Sequence, residues 1–220
     1  MKKSEYALAI LLVGGLWGIS EAVLGDVLYT RKVPFASVYL TAIGFFLLAV
    51  SRAFLRWTGA ATAIAGLAML YKLLNVPFFG CHLTGILLLG IAWDVMFFRS
   101  RPERTREGAA RLSLALSAGR AAAAVYLGHV LFVAAMLFVF RSEHWVERGA
   151  QGWLRHVGLV GTITAATCAV IVPFGLLVGE RLRRRSPLPL ALPAWSGTAA
   201  SIALTAALWI YSVAGRLLRA

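Results

Sequence analysis

Glu21 and Lys72 are ionisable residues that lie inside long apolar stretches of the sequence. A charged side chain within hydrocarbon is costly, so it faces the protein interior and has a partner there. Each of the two shares a helix face with small residues at positions i, i+4, i+7 and i+11: Gly14, Gly18, Glu21 and Gly25 on one stretch, and Ala61, Ala65, Ala68 and Lys72 on another. Small residues let two helices approach closely. We therefore predict a buried Glu21–Lys72 pair between the first and third helices, which either fixes their packing or lines an outward-facing pocket.

Further polar side chains follow these two residues toward the same end of their helices. Asp26 lies about 140° around a regular helix from Glu21, so we expect it to line a neighbouring groove or to lie at the lipid headgroups. Asn75 comes shortly after Lys72, in the apolar link that precedes the fourth stretch. We expect Glu21, Asp26, Lys72 and Asn75 to form a substrate-binding site.

Three other residues have side chains that bind metals or cofactors. Cys81 and His82 are adjacent and offer ligands for a transition metal, although they lack the paired spacing of a Cys-x-x-Cys or His-Glu-x-x-His site. His129, near the middle of the fifth stretch, could ligate a heme, a chlorin or a metal. The alternatives are a buried thiol and a helix-capping histidine at 81–82, and a histidine hydrogen-bonded to a neighbouring helix at 129.

The segments that carry these residues are predicted to be membrane-spanning helices. The chain has 220 residues, of which 60% are hydrophobic and only 14% are charged, whereas about a quarter of the residues in soluble domains are charged. We predict an all-α, polytopic transmembrane helix bundle in which residues 1–220 form one integral membrane domain. Six firm spans and a seventh that follows three prolines are long enough to cross the hydrocarbon, near 6–29, 34–51, 58–76, 81–98, 119–140, 157–178 and 195–214.

The basic residues indicate how this bundle is oriented. Lys and Arg number 22 against 9 Asp and Glu, which gives a formal net charge of +13. Most of the basic residues fall in connections on the same side as the N-terminus, so we predict a cytoplasmic N-terminus and an outer C-terminus in the inner membrane. This distribution explains the charge without nucleic acid as a partner. At the inner end, Asp94 is expected to pair with Arg52 or Arg99.

The sequence contains no recognisable catalytic motif. It lacks Gly-x-Ser-x-Gly, His-Glu-x-x-His and a P-loop. We therefore predict that the protein is not an enzyme, and that any transport takes its energy from a partner or an ion gradient.

Three segments resemble a family of transport proteins: Trp17 to Gly25 in the first span, Pro34 to Gly44 at the start of the second, and Lys72 to Asn75 at the end of the third. Over about the first 100 residues the chain resembles the substrate-binding S components of energy-coupling factor transporters, in particular the S-component-like membrane proteins. The resemblance implies that a vitamin or metal ion is bound from outside. It also implies handover through a transmembrane coupling subunit and two ATPases.

Two other functions remain open from the residues alone. The chain could be a structural or cofactor-holding subunit of a larger respiratory or photosynthetic complex, with His129 or His82 as an axial ligand. It could also be a membrane metalloenzyme that uses Cys81, His82 and Glu21. We favour a substrate-capture subunit that binds a small molecule or metal ion around Glu21, Lys72, Cys81 and His82.

Overall fold

The computed structural model describes residues 3–55, 57–73, 80–98 and 107–185, and all regular structure in these ranges is helical. In that part of the chain the helices are α1 (residues 3–30), α2 (Ala36–Ser51), α3 (Ala60–Lys72), α4 (Gly80–Phe97), α5 (residues 107–139), α6 (Glu143–Glu147) and α7 (Gly149–Arg185). Three of these described helices contain a π-helical turn, at Ser20–Leu24 in α1, Ala135–Val139 in α5 and Arg155–Val160 in α7.

The described helices support a membrane protein. Four segments are long and apolar enough to cross a bilayer: Tyr6–Thr30, Gly80–Phe97, Ser113–Val139 and Gly149–Arg185. The predicted spans at 34–51 and 58–76 correspond to α2 and α3, which are apolar but shorter, with 16 and 13 residues. The predicted span at 195–214 lies outside the described residues. The all-α class is thus confirmed for the described chain, and the full count of spans remains a prediction.

The six longer helices form a closed ring. Helix α1 packs against α3, α3 against α4, α4 against α5, α5 against α7, α7 against α2, and α2 closes the ring on α1. Large side chains that are fully buried lie on several of these helices and form the core: Trp17, Phe45, Leu48, Ile64, Val125 and Val172. Consecutive helices of the ring therefore pair in space except α2 and α3, because α2 lies between α1 and α7.

Small residues set how closely the helices approach. A Cβ atom added at Gly18 of α1 would lie 2.5 Å from the Tyr71 ring on α3, so the glycine face of α1 meets α3 as predicted. The alanine face of α3 has a different neighbour, because Ala61 and Ala65 contact Gly90 of α4. The glycines of α1 and the first two alanines of α3 thus serve two different interfaces, while Lys72, on the same face as those alanines, meets α1.

Candidate functional site

Glu21 lies in the π-helical turn of α1, at Ser20–Leu24. In this turn the Gly25 N–H donates to the Ser20 carbonyl, five residues earlier, where a regular α-helix would use a carbonyl four residues earlier. Such single turns occur frequently at functional sites. Here the turn accompanies an unusual contact, because the Glu21 carbonyl oxygen accepts a hydrogen bond of 2.6 Å from Lys72 Nζ.

The Lys72 ammonium is also paired with the Glu21 side chain. Lys72 Nζ lies 3.6 Å from Glu21 Oε2, and the two side chains are 6% and 8% exposed. Trp17 Nε1 donates to Glu21 Oε1 over 3.4 Å. The predicted buried pair between the first and third helices is therefore confirmed. The structure adds the shorter contact to the Glu21 backbone, which no side-chain pattern reveals.

Gly25 makes room for the ammonium. A Cβ atom at this position would lie 2.8 Å from Lys72 Nζ. Gly25 faces Lys72 directly. Glu21 and Gly25 therefore lie on the same side of α1, as predicted, although the π-helical turn comes between regular parts of the helix. Gly25 is thus part of the site through its lack of a side chain.

Two aromatic rings extend the site from the ion pair to the end of the bundle. Lys72 Nζ lies 5.6 Å from the centroid of the Tyr29 ring, within reach of a cation–π interaction. Tyr29 in turn stacks on His82 of α4, with centroids 4.8 Å apart and an interplanar angle of 20°. We call Trp17, Glu21, Tyr29, Lys72 and His82 the Lys72 cluster. It joins three helices and reaches the surface at Tyr29, which is 40% exposed.

Sequence reasoning gave Tyr29 no role in the site, because a tyrosine near the end of a span is ordinarily part of the aromatic belt at the membrane interface. On a regular helix Tyr29 would lie about 80° around the axis from Glu21. The π-helical turn holds one residue more than an α-helical turn, which sets the following residues back by up to about 100°. This brings Tyr29 near the face of Glu21 and also shortens the predicted 140° separation of Asp26. Asp26 is half-buried and interacts electrostatically with Lys72.

The other predicted ligand residues are not gathered at one point. Cys81 packs against the cluster of Val133, Met136 and Trp145, whereas His82 stacks on Tyr29. Adjacent residues of a helix diverge by about 100°, so Cys81 and His82 face different neighbours. Within the described ranges no group of three or more His, Cys, Asp or Glu side chains is placed to hold a metal ion. Asn75 lies outside those ranges.

His129 lies beside a second histidine that the sequence analysis did not single out. Its Nδ1–H donates to the Val125 carbonyl of its own helix over 2.9 Å, so the predicted hydrogen bond to a neighbouring helix was wrong in its partner. The His129 ring lies 5.0 Å from that of His156, which also contacts Phe132 and Trp145. His156 belongs to the π-helical turn of α7, whereas the predicted span at 157–178 begins one residue after it and left His156 outside the membrane.

At the opposite end of the bundle, Asp94 caps a helix. It accepts hydrogen bonds from the Thr62 N–H at 2.8 Å and the Thr62 hydroxyl at 2.7 Å, and from the Ala61 N–H at 3.4 Å. Gly59, the residue before α3, has no side chain to supply this cap. The carboxylate therefore serves mainly the first turn of α3, which corrects the expectation of a simple pair with Arg52, while the alternative pair with Arg99 stays a prediction.

Arg52 has its own partner nearby. Its Nη2 donates to the Phe97 carbonyl over 2.9 Å, and its guanidinium lies 5.1 Å from the centroid of the Phe97 ring. Burial and the nearby Arg120 lower the pKa of Arg52, while Asp94 opposes that shift. Arg99 lies outside the described residues. Arg52 and Arg120 thus mark a basic end of the bundle, remote from the Lys72 cluster.

Comparison with known proteins adds no family: no family model, no curated protein and no solved structure matches the chain.

Proposed function

We propose that the protein is the substrate-capture subunit of a membrane transporter and that it binds a small molecule at the Lys72 cluster. The observation that carries the proposal is the buried Lys72 ammonium, which contacts the Glu21 carbonyl at a π-helical turn. Ionisable residues within membrane helices are rare and mark substrate or ion pathways. The π-helical turn at the same residue also supports a functional role, because such turns occur frequently at functional sites.

The contacts within the cluster favour a ligand that carries an anionic group. An ammonium has three hydrogens to donate, and Lys72 directs one of them to the Glu21 carbonyl. The Glu21 carboxylate lies 3.6 Å from Nζ, beyond the usual 2.7–3.2 Å of a hydrogen bond. The proposal is that a carboxylate or phosphate of a ligand takes the place of the Glu21 carboxylate beside the ammonium, while the Glu21 carbonyl holds the ammonium in place. The Tyr29–His82 stack supplies a flat apolar wall beside it.

The distribution of charge supports the orientation that this function requires. Arg52 and Arg120 interact at one end of the bundle, and α7 ends at the same side with Arg183, Arg184 and Arg185, since Gly179 lies against Val50. The positive-inside rule assigns this end to the cytoplasm. We propose an inner-membrane protein with six or seven spans, a cytoplasmic N-terminus and the Lys72 cluster toward the outside.

A transporter subunit of this kind needs partners. The described chain holds no nucleotide-binding motif, so the proposal includes a coupling subunit and ATPases of the energy-coupling factor type. Mild solubilisation of the tagged protein from its native membrane tests this, with the co-purifying subunits identified by mass spectrometry. We expect a coupling subunit and ATPases in stoichiometric amounts. Purification of the chain alone under conditions that keep other membrane complexes intact would contradict the proposal.

A cofactor-holding subunit is the second candidate, and the His129–His156 pair is the observation that favours it. The rings lie 5.0 Å apart between two membrane helices, where histidines serve as ligands of hemes and chlorins. The same purified sample distinguishes the two functions through its visible spectrum. A colourless preparation excludes a heme or chlorin, whereas a Soret band that disappears in His129→Ala would favour this candidate over substrate capture.

A further inference from the structure

One side of the second half of α7 is exposed and ends in two arginines. Val170, Phe174, Leu177, Arg181 and Arg185 follow one another at spacings of four, three, four and four residues, which places them on one helix face. Val170 and Phe174 are 72% and 58% exposed. In a membrane this apolar face contacts lipid, and the two arginines continue it toward the end of the helix.

The opposite side of α7 is docked on the bundle. A Cβ atom at Gly179 would lie 2.5 Å from the Val50 carbonyl oxygen of α2, and one at Gly175 would lie 2.8 Å from Ala49 Cβ. Both glycines therefore mark a close contact with α2. Arg181 and Arg185 lie on the far side of α7 from this contact, so their side chains project toward lipid.

The neighbouring arginines already have an anionic partner. Glu180 accepts hydrogen bonds from Arg183 Nε at 2.8 Å and Nη2 at 2.6 Å, and from Arg184 Nε at 3.0 Å. Arg181 and Arg185 have no such partner within the part of the chain that the structure describes. The end of α7 thus contains two arginines that share the Glu180 carboxylate and two that have no carboxylate partner in the described chain.

The length of α7 places Arg181 and Arg185 at the level of lipid phosphates. At about 1.5 Å per residue, the helix rises roughly 42 Å from Trp153 to Arg181, close to the 40–45 Å thickness of a bilayer with its headgroups. Trp153 donates to the Trp145 carbonyl in the aromatic segment at the other end, and tryptophans of this kind lie at the membrane interface. Arg181 and Arg185 therefore lie at the opposite headgroup layer.

We propose that Arg181 and Arg185 form a binding site for the phosphate of an anionic phospholipid. Side chains at i and i+4 are neighbours, so both guanidinium groups can reach one phosphate, which arginine binds with two parallel hydrogen bonds. The apolar residues Phe174 and Leu177 lie directly before the pair on the same face and provide contact for the acyl chains. The apolar surface beside the two arginines favours a lipid over free phosphate, because free phosphate has no acyl chain to contact it. The proposal does not depend on the substrate-capture function.

Two double variants with equal loss of charge test the site. R181Q/R185Q removes the pair without a carboxylate partner, and R183Q/R184Q removes the pair that is hydrogen-bonded to Glu180. Each protein is delipidated and titrated with phosphatidylglycerol, and bound lipid is counted by native mass spectrometry. We expect R181Q/R185Q to weaken binding of the first phosphatidylglycerol at least tenfold, and R183Q/R184Q to change it less than twofold. Because all four side chains are exposed, both variants should fold, which their thermal unfolding checks.

Three outcomes would overturn the proposal. Equal weakening in both variants would show that only the bulk charge of this end attracts lipid. Displacement of the lipid by millimolar inorganic phosphate would show a phosphate site without a lipid component. Unchanged binding in R181Q/R185Q would leave these arginines to another partner, such as an acidic surface of a soluble protein.

Discussion

The Lys72 ammonium has two partners on α1 that differ in chemistry. One is the Glu21 carboxylate at 3.6 Å, and the other is the Glu21 backbone carbonyl at 2.6 Å. Removing one member of a buried ion pair leaves an uncompensated charge and is strongly destabilising. The backbone contact reduces that penalty for Lys72 but cannot replace the carboxylate, since a carbonyl carries no net charge.

Glu21→Gln should therefore destabilise the protein, by about 3 kcal/mol, at the low end of the range for broken buried pairs. A simple ion pair predicts that exchanging the two residues, as in E21K/K72E, recovers most of this loss. We expect little recovery, because a carboxylate at position 72 would face the carbonyl oxygen of residue 21. Thermal unfolding in detergent measures both effects. Wild-type stability in Glu21→Gln would show that the carboxylate is not a partner of Lys72.

Gly25→Ala tests the site without changing any charge. The new Cβ would lie 2.8 Å from Lys72 Nζ and displace the ammonium from the Glu21 carbonyl. We expect at least a tenfold loss of ligand affinity, with a smaller change in unfolding temperature than in Glu21→Gln. Gly66→Ala is the matched control, since nothing lies within 4 Å of a Cβ at that position of α3. Equal ligand affinity in both variants would show that the position of the Lys72 ammonium does not affect ligand binding.

At the level of helices, the π-helical turn of α1 limited what could be predicted. The spacing of Gly14, Gly18 and Glu21 indicated the face that meets α3, and the structure places that face there. The positions of Tyr29 and Asp26 could not be derived, because no local residue pattern announces one extra residue in a turn. The partner of the alanine face was also hidden, since periodicity defines a face but not which neighbour covers it.

The α2–α7 contact provides a prediction at this scale. In Gly179→Ala the added methyl group would lie 2.5 Å from the Val50 carbonyl oxygen, so the helices must separate. Overpacking of this kind costs about 1–3 kcal/mol. Gly119→Ala on α5 meets nothing within 4 Å and should gain roughly 0.5–1 kcal/mol from its higher helix propensity. Opposite shifts in unfolding temperature are expected. A stable Gly179→Ala variant would exclude the close contact.

At the scale of the whole molecule, the two ends of the helix ring carry different groups of functional side chains. The Lys72 cluster and the His129–His156 pair lie toward the end where α3 finishes and α4 begins, while Arg52, Arg120 and the last turn of α7 lie at the other. Composition was sufficient to predict the all-α class of the described chain, and the orientation inferred from the charges stays a prediction. The seventh span and Asn75 fall outside the described residues and remain predictions.

The substrate-capture account depends most on whether an anionic small molecule binds at Lys72. The direct measurement is native mass spectrometry of the purified protein and of the double variant E21Q/K72M, which removes both charges together and avoids an unpaired buried ion. The account predicts that the wild-type protein retains an anionic small molecule in a one-to-one ratio and that E21Q/K72M loses it while remaining folded. Equal retention in the folded double variant, or no bound small molecule in the wild-type protein from native membranes, would contradict it.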